Sequence, residues 1–126
     1  MALNVLVTDD SAVMRAMIIR TLRMTDLDIG DVLQAANGAE ALKVLDDQWV
    51  DVALIDINMP VMNGLELLEQ IATRPYAKGL RTIVVSTEGS DPRIAMVHAY
   101  GADFVRKPFS PEDLRDALVR VTGVTS

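Results

Sequence analysis

Four short apolar runs in this chain each stop at residues able to handle charge. Residues 3–7 run into Thr8-Asp9-Asp10, and residues 50–55 run into Asp56. Residues 83–85 run into Ser86-Thr87, and Phe104-Val105 runs into Arg106-Lys107-Pro108. A β-branched run that ends at a carboxylate reads as a buried strand delivering one acid to the edge of a sheet. If the four runs are parallel neighbours, three carboxylates, a hydroxyl and an ammonium meet at one rim. Two carboxylates about 4 Å apart repel by about 4 kcal/mol at an effective dielectric of about 20, and a divalent cation relieves that. All-oxygen ligands favour Mg²⁺ or Mn²⁺ over zinc. Calcium fits poorly, because Pro60 and Val61 stand where a calcium loop needs a ligand and its sharp-turn glycine. A carboxylate beside such a cation can take a phosphoryl group as an acyl phosphate. Phosphoryl transfer depends mostly on positioning and charge neutralisation, which the cation on one side and Lys107 on the other would supply. Ser86 can donate to a phosphoryl oxygen. Pro108 restricts the backbone of Lys107, and the bond between them can be cis.

The elements that must position these residues alternate between strand-like and helix-like segments. Strands are expected at about residues 3–8, 31–36, 50–55, 82–86 and 103–106. The first helix starts at Ser11, a good N-cap, and runs to about Met24 with Val13, Met14, Met17, Ile18 and Leu22 on its apolar face. Asn37-Gly38 is a turn signal, and residues 39–47 form the second helix with Ala41, Leu42 and Leu45 inward. The third follows Asn63-Gly64 and carries Leu65, Leu68, Ile71 and Ala72. Asp91 is the expected N-cap of the fourth, with Pro92 at its first position and Gly101 as its left-handed C-terminal cap. The fifth opens at Ser110-Pro111-Glu112-Asp113, with acids where the helix dipole favours them, and buries Leu114, Ala117, Leu118 and Val121. Five strand–helix pairs imply an α/β doubly wound parallel sheet with helices on both faces. The natural order is 2-1-3-4-5, as in flavodoxin-like folds, which makes the first and third strands neighbours at the switch point. There Asp9, Asp10 and Asp56 would converge.

The 126 residues have a one-domain length, half of them are hydrophobic, and no linker, repeat or low-complexity stretch interrupts them. No cysteine is present, which excludes disulfides, thiolate metal sites and thiol catalysis and fits a reducing, cytoplasmic setting. No apolar stretch reaches the length of a membrane span, and no export signal is visible. A net charge of −6 argues against a nucleic-acid partner, which needs a basic face.

The pieces Val7-Thr8-Asp9-Asp10-Ser11, Leu54-Ile55-Asp56-Ile57-Asn58-Met59-Pro60 with Asn63-Gly64, Val85-Ser86-Thr87-Glu88, Gly101-Ala102-Asp103 and Lys107-Pro108-Phe109 together carry a specific likeness. The chain resembles the receiver domain of bacterial two-component response regulators, closest to the stand-alone chemotaxis type, over about residues 3–121. The resemblance implies a single receiver domain over residues 1–126, with no effector domain in this chain. It implies a phosphorylation-activated signalling switch rather than an enzyme with an external substrate. Asp56 would accept the phosphoryl group from a phosphohistidine on a sensor histidine kinase. Asp10 and Asp56 would bind Mg²⁺ directly, Asp9 through water, and the backbone carbonyl of Asn58 would complete the protein's share. Ser86 would sense the phosphoryl group, helped by the Thr87 N–H, and Lys107 would pair with its oxygens. Phe104 falls at the aromatic switch position. The fourth helix, fifth strand and fifth helix would form the face that binds a downstream protein, with the chain a monomer or a phosphorylation-dependent dimer. Asn58 and Glu88 match residues that flank the acyl phosphate in the chemotaxis type and imply a short-lived phosphorylated state that autodephosphorylates. Two positions depart from the family pattern: Ser86 replaces threonine, and Phe104 replaces tyrosine, so that no phenol is offered to a partner.

Among the other residues, His98 reads as a helix-surface residue, Met14 and Met17 as core filler, and Trp49 as a packing residue. An aspartyl-nucleophile phosphatase is the rival enzyme reading, but it needs a second acid where Asn58 stands. A flavodoxin-like electron carrier needs a hydroxyl- and glycine-rich phosphate loop where Asp9-Asp10 stands. A degenerate receiver serving only as an interaction module would not need the complete set of charged residues.

Overall fold

The computed structural model describes residues 2–87 and 90–124. Ten elements alternate along them: β1 (Leu3–Thr8), α1 (Ala12–Arg23), β2 (Ile29–Ala35), α2 (Gly38–Asp47), β3 (Val52–Ile55), α3 (Gly64–Ile71), β4 (Arg81–Ser86), α4 (Asp91–Ala99), β5 (Asp103–Arg106) and α5 (Pro111–Thr122). The five strands form one parallel sheet in the order β2-β1-β3-β4-β5, as the alternating pattern predicts.

Strand alternation sorts the core onto the two faces of the sheet. Leu6, Ala53, Ile55 and Val84 pack with Leu42, Leu45, Leu67, Leu68, Ile71 and Val97, so α2, α3 and α4 cover one face. Val5, Val7, Val52, Leu54, Ile83 and Val85 pack with Ile18, Leu22, Leu114 and Leu118, so α1 and α5 cover the other. β1 is sealed on both sides, which is why it reads as an almost unbroken apolar run. Each large aliphatic side chain buried here contributes roughly 1.5–3 kcal/mol.

Side-chain caps set the starts of α1, α2, α3 and α5, whereas Ser90 at the start of α4 makes no side-chain cap hydrogen bond. Ser11 Oγ accepts from the Met14 amide at 3.2 Å, and Asn63 and Ser110 form reciprocal capping boxes with Glu66 and Asp113. Among the described residues, no helix is long and apolar enough to cross a membrane.

Several local expectations are corrected. On α1, Val13 and Met17 are 76% and 53% exposed, so Met17 is not core filler. The inward row is the partly buried Met14 with the buried Ile18 and Leu22, spaced four apart, and Val13 and Met17 form the adjacent row that turns outward. On α3 the inward stripe includes Leu67 and excludes the exposed Ala72. Asn37 caps α2 rather than making a free turn, its side chain accepting from the Glu40 amide at 2.9 Å. Ser90, not Asp91, is the N-cap of α4, which moves Pro92 to the second helical position. Gly101 does take the left-handed conformation after this helix, at φ 81°. β3 starts at Val52; just before it, the Asp51 carboxylate accepts from the Asn4 amide at 2.8 Å. Trp49 is 65% exposed, with its indole N–H donating to Asp51 at 3.0 Å, so it is not a packing residue. His98 lies on the exposed side of α4, as expected.

Candidate functional site

The sheet register brings the strand ends into line. Thr8 pairs with Ile55, Ile55 with Val84 and Val84 with Phe104, so the polar residues that follow leave the sheet along one edge. Backbone hydrogen bonds extend the ladder past the strands: the Asp56 amide donates to the Thr8 carbonyl at 3.0 Å, and the Lys107 amide to the Ser86 carbonyl at 3.0 Å. One carboxylate oxygen from each of Asp9, Asp10 and Asp56 lies within 4.8 Å of the others.

The three acids are held differently. Asp9 is buried, its Oδ1 accepting from the Ser11 amide at 2.9 Å and its Oδ2 from Lys107 Nζ at 2.9 Å. Asp56 is half-buried, its Oδ1 accepting from the Ile57 amide at 2.9 Å, with Lys107 Nζ 3.8 Å from its Oδ2 and the Ser86 hydroxyl donating to the carboxylate. Asp10 is exposed. Burial raises the Asp56 pKa; Lys107 opposes this, the nearby Asp9 charge adds to it, and the hydrogen bonds from Ser86 and the Ile57 amide offset part of it. Asp56 thus carries its charge at a cost, beside two further acids. This donor set, oxygen only and short of positive charge, fits a hard divalent cation.

The loop after Asp56 is fixed by close backbone contact. The Gly64 amide donates to the Ile57 carbonyl at 2.8 Å, and a Cβ on Gly64 would lie 2.3 Å from the Asp56 carbonyl oxygen. Only glycine lets α3 start directly over the acid. Similarly, the Gly38 amide donates to the Met62 carbonyl at 3.0 Å, tying α2 to this loop. Val61, at the loop tip, is held at φ 68°.

The other sequence-singled residues fall around this centre. Ser86 is buried at the end of β4. Thr87 is exposed and lines, with Lys107, Met14, Met17, Pro108 and Phe109, a cavity of about 280 Å³ beside the acids. The Lys107–Pro108 bond is cis. Phe104 is half-buried against the core on the α4 side, with the Arg106 guanidinium 5.9 Å from its ring centroid. Asn58 is exposed in the loop after Asp56. Glu88 lies outside the described residues. Sequence reasoning passes over Arg15, whose guanidinium donates to the Asp9 carbonyl at 2.7 Å and to Gln34 Oε1 at 3.0 Å. An arginine in the first turn of a helix carries no signal of such a bond.

The response regulator receiver domain family matches residues 5–119. A chemotaxis protein CheY homolog of Campylobacter jejuni is 37% identical over 126 residues, covering 98% of this chain and 95% of that protein. Chemotaxis protein CheY1 of Helicobacter pylori is 36% identical, covering 96% of this chain and 98% of that protein. The solved structure of Vibrio cholerae chemotaxis protein CheY4 superposes with a TM-score of 0.84 at 34% identity, covering 96% of this chain and 99% of that one. With these likenesses spanning nearly the whole length, the chain belongs to the response regulator receiver domain family and is a CheY-like receiver, a module of phosphorylation-activated signalling.

Proposed function

We propose that Asp56 accepts a phosphoryl group from a phosphohistidine on a sensor histidine kinase and that the phosphorylated chain binds a downstream protein. The observation that carries this reading is the meeting of Asp9, Asp10 and Asp56 within 4.8 Å, with Lys107 Nζ 2.9 Å from Asp9 and 3.8 Å from Asp56. An Asp56 carboxylate oxygen attacks phosphorus, an O–P bond forms, and the P–N bond breaks with its electron pair returning to the imidazole nitrogen. The product is an acyl phosphate, and water later attacks its phosphorus to release inorganic phosphate and restore the carboxylate.

Asp10 and Asp56 would hold Mg²⁺ (or Mn²⁺), with Asp9 assisting through water and the Asn58 carbonyl offering a further oxygen. When bound, the ion neutralises charge on the phosphoryl oxygens. Lys107 supplies the opposite side: its ammonium already lies between Asp9 and Asp56 and shifts toward the incoming oxygens. The Ser86 hydroxyl and the Thr87 N–H donate to the same group. Moving Ser86 toward the phosphoryl group opens room for Phe104 to turn inward, and the face made by α4, β5 and α5 passes from one packing to another. Asn58 and Glu88 tune the lifetime of the acyl phosphate. The chain works in the cytoplasm, as a monomer or as a dimer formed on phosphorylation.

The test is incubation with Mg²⁺ and acetyl phosphate followed by intact mass spectrometry. One added phosphoryl group, lost in Asp56→Asn, supports the reading. An unmodified chain, under conditions where a control receiver reacts, contradicts it.

A further inference from the structure

Asp10 differs from its two neighbours in the acid cluster. It is exposed, and among the described residues no hydrogen bond or ion pair holds its carboxylate. Its side chain is therefore aimed by its backbone alone. That backbone is pinned on both sides of Asp9. The Asp9 amide donates to the Ala35 carbonyl of β2 at 3.1 Å. The Asp9 carbonyl, which belongs to the peptide unit leading into Asp10, accepts from Arg15 at 2.7 Å. Arg15 is itself braced by β2, its Nε donating to Gln34 Oε1 at 3.0 Å. One guanidinium thus joins α1, β2 and the acid-bearing turn, using the fixed fork geometry that a lysine lacks.

We infer that Arg15, braced by Gln34, is a positioning residue for the metal site: by holding the Asp9 carbonyl it aims the Asp10 carboxylate at the ion, a role that rests on the Mg²⁺ reading proposed above. The charge of Arg15 acts in the opposite direction. A cation beside three carboxylates repels Mg²⁺, so an arginine that mattered only as charge would, when removed, leave tighter Mg²⁺ binding. An arginine that orients a ligand would leave weaker binding. Outer-shell partners that orient metal ligands typically change affinity by about 10- to 100-fold, whereas charges facing solvent are screened by salt. The orienting effect therefore sets the sign.

The test is isothermal titration of Mg²⁺ into the full chain and its variants, beside thermal unfolding in EDTA. Arg15→Ala is expected to bind Mg²⁺ about 10-fold more weakly. Arg15→Lys, which keeps the charge but cannot span both partners, should be weakened similarly. Gln34→Ala changes no charge and touches no acid; it should weaken Mg²⁺ binding by a smaller factor while its melting in EDTA stays at the native value. It also decides the matter if Arg15→Ala fails to fold. Mg²⁺ binding by Arg15→Ala or Gln34→Ala that is equal to or tighter than that of a native chain which does bind the ion overturns the positioning role and leaves the metal reading standing. No Mg²⁺ uptake by the native chain overturns both.

Discussion

Lys107 and Asp9 stand 98 positions apart in the sequence and form a 2.9 Å ion pair with side chains only 11% and 3% exposed. The pair joins the ends of β1 and β5 across the sheet and leaves Asp56, 3.8 Å from the same ammonium, less fully neutralised. Removing one partner of a buried ion pair strands the other charge, at a cost of about 3–5 kcal/mol. Lys107→Met should therefore lower metal-free stability by about 3 kcal/mol. It should also make the melting temperature rise more steeply with added Mg²⁺ than in the native chain, because the acid cluster gains net negative charge. Thermal unfolding in EDTA and across a Mg²⁺ series checks both. An unchanged metal-free melt would show that the pair carries no stability.

Asp56 has a pKa raised chiefly by burial, so its ionised form opposes folding. The sign follows from linkage. The folded chain holds this proton to higher pH than the unfolded one. The group's contribution is therefore most favourable below the unfolded pKa and is lost as pH rises through the folded value. Asp56→Asn removes that loss. Without metal, the variant should melt above the native chain at neutral pH, and the gap should narrow under mildly acidic conditions. Paired melts at the two pH values are the check, and a variant that melts below the native chain at neutral pH would refute the assignment.

Tyr76 donates its hydroxyl to Asp46 at 3.0 Å, and burial together with that carboxylate raises its pKa from 10.0 to about 12. The stabilisation from this bond is complete below the unfolded pKa and disappears as pH climbs through the folded one. Alkaline titration of phenolate absorbance should thus show one late-ionising tyrosine, absent in Tyr76→Phe. That variant should lose about 0.5–1 kcal/mol at neutral pH. An alkaline titration whose late step survives in Tyr76→Phe would exclude the bond.

Val61 sits in the loop after Asp56 at φ 68°, a conformation that disfavours β-branched side chains, and it is 82% exposed. Its side chain packs little, so relieving the backbone should dominate. Val61→Asn is expected to raise stability by about 1 kcal/mol, because asparagine tolerates the left-handed region. Chemical denaturation with an unchanged m-value would support this. A drop in midpoint would mean that the valine side chain contributes contacts beyond its local backbone.

The strand ends were legible because residue type alone marks them: Asp9, Asp56, Ser86 and Lys107 each stand at or just past the end of an apolar run, and the doubly wound order puts those ends along one edge. What was not legible depended on contacts between elements. Nothing in the sequence tells which of two adjacent rows on α1 turns inward; Val13 and Met17 are as apolar as Met14 and Ile18, and the packing of α1 on the sheet decides. Ser90 and Asp91 are equally good caps, so local chemistry could not choose between them. The need for glycine at position 64 lies in the approach of the Asp56 carbonyl, and the hold of Arg15 on Asp9 lies in where α1 meets β2; both are properties of the folded chain.

The most direct test of the proposed acceptor is chemical trapping of the phosphorylated residue. After reaction with acetyl phosphate and Mg²⁺, borohydride reduction converts an aspartyl phosphate to homoserine, which peptide mass spectrometry then locates. Homoserine at position 56 alone, and none when EDTA replaces Mg²⁺, is the predicted result. Homoserine elsewhere in the chain, or at position 56 regardless of metal, would contradict it.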